Sequence, residues 1–192
     1  MGRPRDERGA VLVEFALIAS ILVTLMLGVF EIGMAWSDHQ VVTQASRSGA
    51  RVGSQLGTAA EADAEVLRAV QAGLGTMGTD IGRIIVYEAD ANGDMPAACR
   101  TASAGYSGAA NCNVYNATSV ANLGITSWWG SGTTCGSADN NWCSANERVD
   151  NQTTATYLGV YVEIQRQYLT GLFGGGFHTM TETTVMRIEP AI

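Results

Sequence analysis

The sequence predicts an α+β protein in which a long N-terminal helix packs on a small antiparallel sheet, with a long disulfide-bearing loop region inserted between its strands. Three observations lead there. Residues 10–36 are almost wholly apolar, and small or apolar residues then continue at helical spacing to Leu56. Later segments alternate in the manner of half-buried strands. All four cysteines fall in one stretch rich in Gly, Ala, Ser and Asn.

The helix comes first. Residues 15–30 carry no charge, and residues 10–36 would make about 40 Å of helix at the α-helical rise, enough to cross a bilayer. A helix buried in a soluble domain keeps a polar face, and this stretch has none. Beyond it, Val42, Ala45, Gly49, Val52 and Leu56 repeat at helical spacing, with Asp38, Gln40, Gln44, Arg47 and Arg51 between them. One helix over 10–56 is expected, transmembrane over 10–36 and amphipathic over 37–57, stopped at Gly57. Ala45, Gly49 and Gly53 form a small-xxx-small series that permits close helix approach. Arg47 and Arg51, one turn apart, can pair with acids of the domain or of a neighbour.

The remaining domain, 58–192, reads as follows. Residues 59–74 are alanine-rich, with Glu61, Asp63 and Glu65 in the first turns, where carboxylates favour a helix N-terminus. Residues 81–88 have strand composition. In 159–169, Val160, Val162 and Ile164 alternate with Tyr161, Glu163 and Gln165. A third strand is expected at 179–188, with 171–176 as the connection. Packing this sheet on the second half of the long helix buries one face of each.

The insertion at about 90–156 has little periodicity. A stretch this long is unusual in a compact domain unless it is functional, disordered or stapled. Cys99, Cys112, Cys135 and Cys143 are even in number and lie in the part expected to be exported, so disulfides are the natural reading. Three pairings are possible; the local one, Cys99–Cys112 with Cys135–Cys143, is expected. There is no CxxC pair, and His39 and His178 lie outside the stretch, so no metal site is expected. Trp128, Trp129 and Trp142 form either an exposed binding surface or the loop's own miniature core.

Charge and motif content exclude other classes. The net charge is -7 and the chain has no lysine, so no basic patch exists to neutralise phosphates and nucleic acid is not an expected partner. The segment Gly73-Leu74-Gly75-Thr76-Met77-Gly78 fits GxGxxG but follows a helix, whereas a dinucleotide site needs a strand before it. Asp90-Ala91-Asn92-Gly93-Asp94 approaches a calcium loop, yet Thr101 stands where a bidentate glutamate is wanted; a turn is the better reading. Neither histidine has a nucleophile or carboxylate context, so no enzyme and no cofactor are expected.

One pattern remains. Arg8-Gly9-Ala10-Val11-Leu12-Val13-Glu14-Phe15 resembles the processing motif of type IV pilins and pseudopilins: a glycine, then a hydrophobic helix with glutamate at its fifth position. Gly28-Val29-Phe30-Glu31-Ile32-Gly33, the double-arginine stretch Ala45-Ser46-Arg47-Ser48-Gly49-Ala50-Arg51, and loosely Thr183-Thr184-Val185-Met186-Arg187-Ile188-Glu189 resemble TadE-like pseudopilins of the tight-adherence (Flp) pilus system. The resemblance implies a pilin-like fold. It also implies a cytoplasmic leader, 1–9, cut by a prepilin peptidase between Gly9 and Ala10, with Glu14 pairing with the new amine of an adjacent subunit. The implied partners are that peptidase, other pilins or pseudopilins, the pilus assembly platform and membrane lipid. Arg3, Arg5 and Arg8 before the apolar stretch place the N-terminus in the cytoplasm and the domain outside a cytoplasmic (inner) membrane. Two alternatives stand beside this reading: an uncleaved, membrane-tethered binding domain that uses the cysteine–tryptophan loop, and a secreted protein released by signal peptidase at Ala35-Trp36-Ser37.

Overall fold

The computed structural model describes residues 8–171 and 176–190. Arg3, Arg5 and most of the leader, and the middle of the expected 171–176 connection, lie outside the described residues. Two units divide the chain: Met1–Asp38 with Gln167–Phe177, and His39–Arg166 with His178–Ile192.

Helix α1 runs unbroken over Arg8–Leu56. Gly57 ends it with a positive φ of 53°, a backbone conformation only glycine adopts without strain, and its N–H bonds the Gly53 carbonyl at 3.1 Å. α2 follows at Ala62–Leu74 and closes through a 3₁₀ turn, Gly75–Asp80, into β1 at Ile81–Glu88. The GxGxxG segment is therefore a helix stop that leads into a strand, the reverse of a dinucleotide-binding order. Then come α3 (Ala97–Arg100), β2 (Cys112–Tyr115), α4 (Ala117–Ala121), α5 (Thr126–Trp129), α6 (Ser144–Glu147), β3 (Tyr157–Gln167) and β4 (Phe177–Arg187). The four strands form one antiparallel sheet in the order β2-β1-β3-β4.

The second unit is built on that sheet. One face carries Ile84, Val86, Val160, Val162 and Ile164 against Val42, Ala45, Ala50, Val66 and Val70 of the two long helices. Register sets this: Val86 faces Val160 and Ile84 faces Val162 across the β1–β3 ladder. Small residues bring the helices down onto it. A Cβ built on Gly49 would lie 2.6 Å from Val70, and one on Gly53 would lie 2.8 Å from Leu158. On α2, a Cβ on Gly73 would meet the Ala45 Cα at 2.8 Å, so the two helix backbones touch there. The Ser46 hydroxyl reaches the Val160 carbonyl and the Thr184 hydroxyl, both at 3.0 Å, and ties α1 to β3 and β4.

The other sheet face is covered too, which periodicity in β1 already reflects. Its run Ile84-Ile85-Val86-Tyr87 is buried without alternation, as expected of a strand packed on both sides. Ile85, Tyr87, Cys112 and Val114 face Cys99 and Ala102 of the insertion. Residues 90–156 are thus not one irregular loop: they supply edge strand β2 and a second core. β2 escaped the pattern reading because it is only four residues long and all four are buried, leaving no polar–apolar alternation to detect.

Disulfides Cys99–Cys112 and Cys135–Cys143 staple the insertion locally. Each closes a short loop, and loop-closure entropy gives about 3 kcal/mol apiece. Arg83 on β1 adds a polar tie. Its guanidinium donates to Glu163 on β3 at 2.9 Å and to the Arg100 and Ala102 carbonyls at 2.9 and 3.2 Å.

The Ala45–Gly73 contact makes a sharp prediction. Gly73→Val places a branched side chain against a backbone that cannot retreat without lifting α1 off the sheet. Thermal unfolding of the detergent-solubilised protein should show a loss of about 1–3 kcal/mol, whereas Gly75→Ala, in open space but at positive φ, tests strain alone.

Candidate functional site

Two regions carry chemistry that the fold itself does not demand. The first is the N-terminal half of α1. Gly9, Ala10 and Glu14 lie on one turn and a half of exposed helix, and nothing stands within 4 Å of a Cβ built on Gly9. Glu14 has no hydrogen-bond or ion-pair partner among the described residues. Leu12, Val13, Phe15, Leu17 and Ile18 are all more than half exposed, and at 100° per residue they point to different sides of the helix. Apolar surface of this extent is what lipid covers; the helix is long and apolar enough to cross a membrane. Glu31, at the far end of that stretch, is only 5% exposed. Its carboxylate accepts from the Thr170 hydroxyl and, at 3.4 Å, from the Thr170 N–H.

In the second half of α1 the sequence-singled residues separate onto two faces. Ala45, Gly49 and Gly53 face α2 and β3, so the small-residue series is filled from within the chain. Arg47 and Arg51 lie on the opposite, exposed stripe with Gln40, Gln44 and Gln55, and neither makes an ion pair among the described residues.

The second region lies in the insertion. Trp129 and Trp142 are 3% and 0% exposed and belong to the main core, so they are neither a binding surface nor a separate loop core. Trp129 packs on Tyr115 at 5.5 Å between ring centroids. Asp63 lies in the first turn of α2, as expected of a carboxylate at a helix start, and is also fully buried at the centre of a polar cluster. It accepts from Arg148 at 2.6 Å, Asn113 at 2.8 Å and Tyr115 at 2.6 Å, while Arg148 lies over the Trp142 ring at 4.1 Å. The run of acids at 61, 63 and 65 gave no hint of this, because Asp63's partners are 50 to 85 residues away in sequence. Burial, then the Asp63 charge, holds the Tyr115 hydroxyl far above its ordinary range.

Beside the cluster, two adjoining depressions of about 320 and 280 Å³ share Gly105, Ser137 and Ala138. Trp128, Tyr106, Asn116 and Asn140 line them, and no charged side chain does. Such a lining suits neutral polar groups. It holds no nucleophile with a base beside it, and among the described residues no three metal-ligating side chains converge. At 90–94, Asp90 accepts from the Asn92 and Asp94 N–H groups, both at 2.8 Å, as a turn does. Asn116 caps α4, its side chain accepting from the Ser119 N–H.

A lipid-length, exposed helix that continues into a disulfide-stapled α+β domain defines a helix-anchored domain protein, compatible with a single-pass membrane anchor. Residues 9–51, less than a quarter of the chain, match the family model described as TadE-like protein. The anchor and the double-arginine stretch that carried the resemblance fall inside this match, which is consistent with a TadE-like protein of the tight-adherence system. Thr183–Glu189 falls outside it. No curated protein and no solved structure matches the chain.

Asp139 gives the pH behaviour of the cluster. Burial, with the nearby Asp63 charge adding to it, lifts its carboxyl to about 7. In the unfolded chain it ionises near 4. Its contribution to stability is therefore full below about pH 4 and is lost as pH rises towards 7. Asp139→Asn should raise Tm at pH 8 by a few degrees and change it little at pH 4; equal Tm gains at both values would mean the carboxylate is not the cause.

Proposed function

We propose that this chain is a TadE-like minor pilin or pseudopilin, a non-enzymatic component in the assembly of a tight-adherence pilus. The family match over 9–51, lying on a helix that is apolar and exposed through its first half, carries this reading. In it, the N-terminus is cytoplasmic, the helix crosses the inner membrane, and the domain lies on the outer side, where disulfides persist. A prepilin peptidase cuts after Gly9, which is open to approach. Cleavage leaves a positive amine on Ala10. Glu14 then lies one turn away, with no partner among the described residues, and a carboxylate in an apolar packing zone needs one. The amine of an adjacent subunit supplies it.

The exposed Arg47 and Arg51 extend the same logic to the second half of the helix. With the small-residue series filled internally, the polar stripe is the part of α1 left for a neighbour, and in a chain of net charge -7 two cations without an ion pair among the described residues suit an acidic partner surface. Membrane lipid, other pilins and the assembly platform are the partners this reading implies.

A tethered binding domain is the second reading, and the uncharged depressions beside Trp128 favour it. It keeps the leader on the mature protein. Release by signal peptidase near Ser37 would instead cut through the uninterrupted helix α1.

N-terminal sequencing and intact mass, with and without the host's prepilin peptidase, separate the three. We expect a start at Ala10 that disappears without the peptidase. A start at Met1 or Gly2 in both strains points to the tethered domain, and a start near Asp38 to secretion. Glu14→Ala should leave the protein in the membrane and reduce filaments; normal piliation would contradict the pairing role. The double variant Arg47→Glu, Arg51→Glu should stay within about 0.5 kcal/mol of the native stability yet assemble poorly, as counted by filament yield.

A further inference from the structure

The anchor carries an unexplained companion. The end of the β3–β4 hairpin, Gln167–Phe177, belongs to the same compact unit as the first part of α1. Between Arg166 and His178 the sequence has no charged residue, and glycines, leucines and aromatics dominate it. Leu169 and Phe177 are 67% and 69% exposed. Hairpin ends in water are built from polar turn residues, so this one is chemically out of place there. Its strands close through a 3.3 Å hydrogen bond from the Tyr168 N–H to the Gly176 carbonyl, which leaves the apolar side chains as its distinguishing feature.

Its contact with α1 is equally specific. Glu31 stands where the uncharged stretch of the helix ends, with Phe30, Ile32 and Trp36 exposed around it. A carboxylate at that depth is costly unless it finds donors. Thr170 supplies two, its hydroxyl and its N–H. Thr170 therefore gives the Glu31 carboxylate two hydrogen-bond donors, and the exposed Leu169 and Phe177 lie in the same compact unit as the apolar stretch of α1.

We propose that Leu169 and Phe177, the exposed apolar residues at the described ends of the β3–β4 connection, make a second membrane contact in the lipid interface next to the anchor, with Thr170 locking them there through Glu31. Continuity with the exposed apolar helix identifies the occupant as phospholipid at the boundary between headgroups and acyl chains. The proposal rests on the membrane-anchor reading given above. In it Phe177 and Leu169 enter the interface as interfacial aromatics and leucines do.

Brominated phospholipids test this, since bromine on the acyl chains quenches tryptophan fluorescence on contact. The full chain is reconstituted in phosphatidylcholine–phosphatidylglycerol vesicles with and without bromine. Comparison of the native chain with Trp36→Phe reads the anchor. Phe177→Trp in the Trp36→Phe background reads the hairpin end, with Leu169→Trp as an independent second variant and Tyr157→Trp, at the opposite end of β3, as the aqueous control. We expect quenching of Trp36 and of both hairpin tryptophans, with the control unaffected, and weaker hairpin quenching once Thr170→Val removes the hydroxyl. Quenching of Trp36 alone would overturn the proposal and leave the anchor standing. Unquenched Trp36 would overturn the anchor and the hairpin contact together. Hairpin emission that shifts with protein-to-lipid ratio but ignores bromine would mean that a second copy of the chain covers the surface, and would also overturn it.

Discussion

The contact between Ala45 on α1 and Gly73 on α2 governs how the second unit is built. A Cβ on Gly73 would fall 2.8 Å from the Ala45 Cα, so the helices meet backbone to backbone. That closeness lets Val66 and Val70 of α2 reach Gly49 and Gly53 of α1, and through them Val160 and Leu158 of β3. Three elements from distant parts of the sequence share one seam, at the packing density of a protein interior. Without the small residues the seam would open by the width of a methyl group or more, and the sheet would lose the cover on its helical face.

The seam also determines what α1 offers to the outside. A helix has a limited circumference, and the side carrying Ala45, Gly49 and Gly53 is occupied. What remains is the stripe of Gln40, Gln44, Arg47, Arg51 and Gln55. The same helix therefore meets two surroundings along its length. Over its first half the exposed groups are Phe15, Leu22, Met26 and their neighbours, which lipid or another apolar helix can cover. Over its second half they are amides and guanidinium groups. Close-packed contacts with another helix are available to the first stretch, and directional polar contacts to the second, so any partner of α1 has to satisfy both chemistries in register.

How much of this was legible in the sequence follows from the range of the interactions involved. Helix α1, its stop at Gly57, and the strands at 81–88, 159–169 and 179–188 rest on local periodicity, and the structure places them within a few residues. The family match likewise lies where the sequence concentrated its pattern, in Gly9, Glu14 and the double arginine. The burial of Asp63 was not legible. Its acidity fits a helix start equally well, and only the fold brings Arg148, Asn113 and Tyr115 to it. β2 was hidden for the related reason that both faces of a short strand are buried. The small-residue series was visible, but a spacing of four says only that something packs there. It does not say whether the partner is a neighbour or the chain's own α2.

The insertion ties these observations together. It has few long apolar segments, so hydrophobic burial alone would hold it weakly, and the fold adds two kinds of constraint. The disulfides limit its freedom locally, each within a loop of about a dozen residues or fewer. The Asp63–Arg148 pair joins its far end to α2, and the Arg83 guanidinium joins its near end to β1 and β3. A buried ion pair is weak evidence for net stability, since apolar residues of equal volume often serve as well. Its value here lies in specificity. Arg148 donates to the buried Asp63 carboxylate at 2.6 Å and would be strongly penalised in a register that lost it, while Asn113 fixes Trp142 through both ends of its side-chain amide. The chain thus seats a sequence of low hydrophobicity in a single place on the sheet. That leaves the uncharged depressions beside Trp128 and the stripe on α1 with fixed geometries, which is what recognition of a neighbouring subunit or a polar ligand requires.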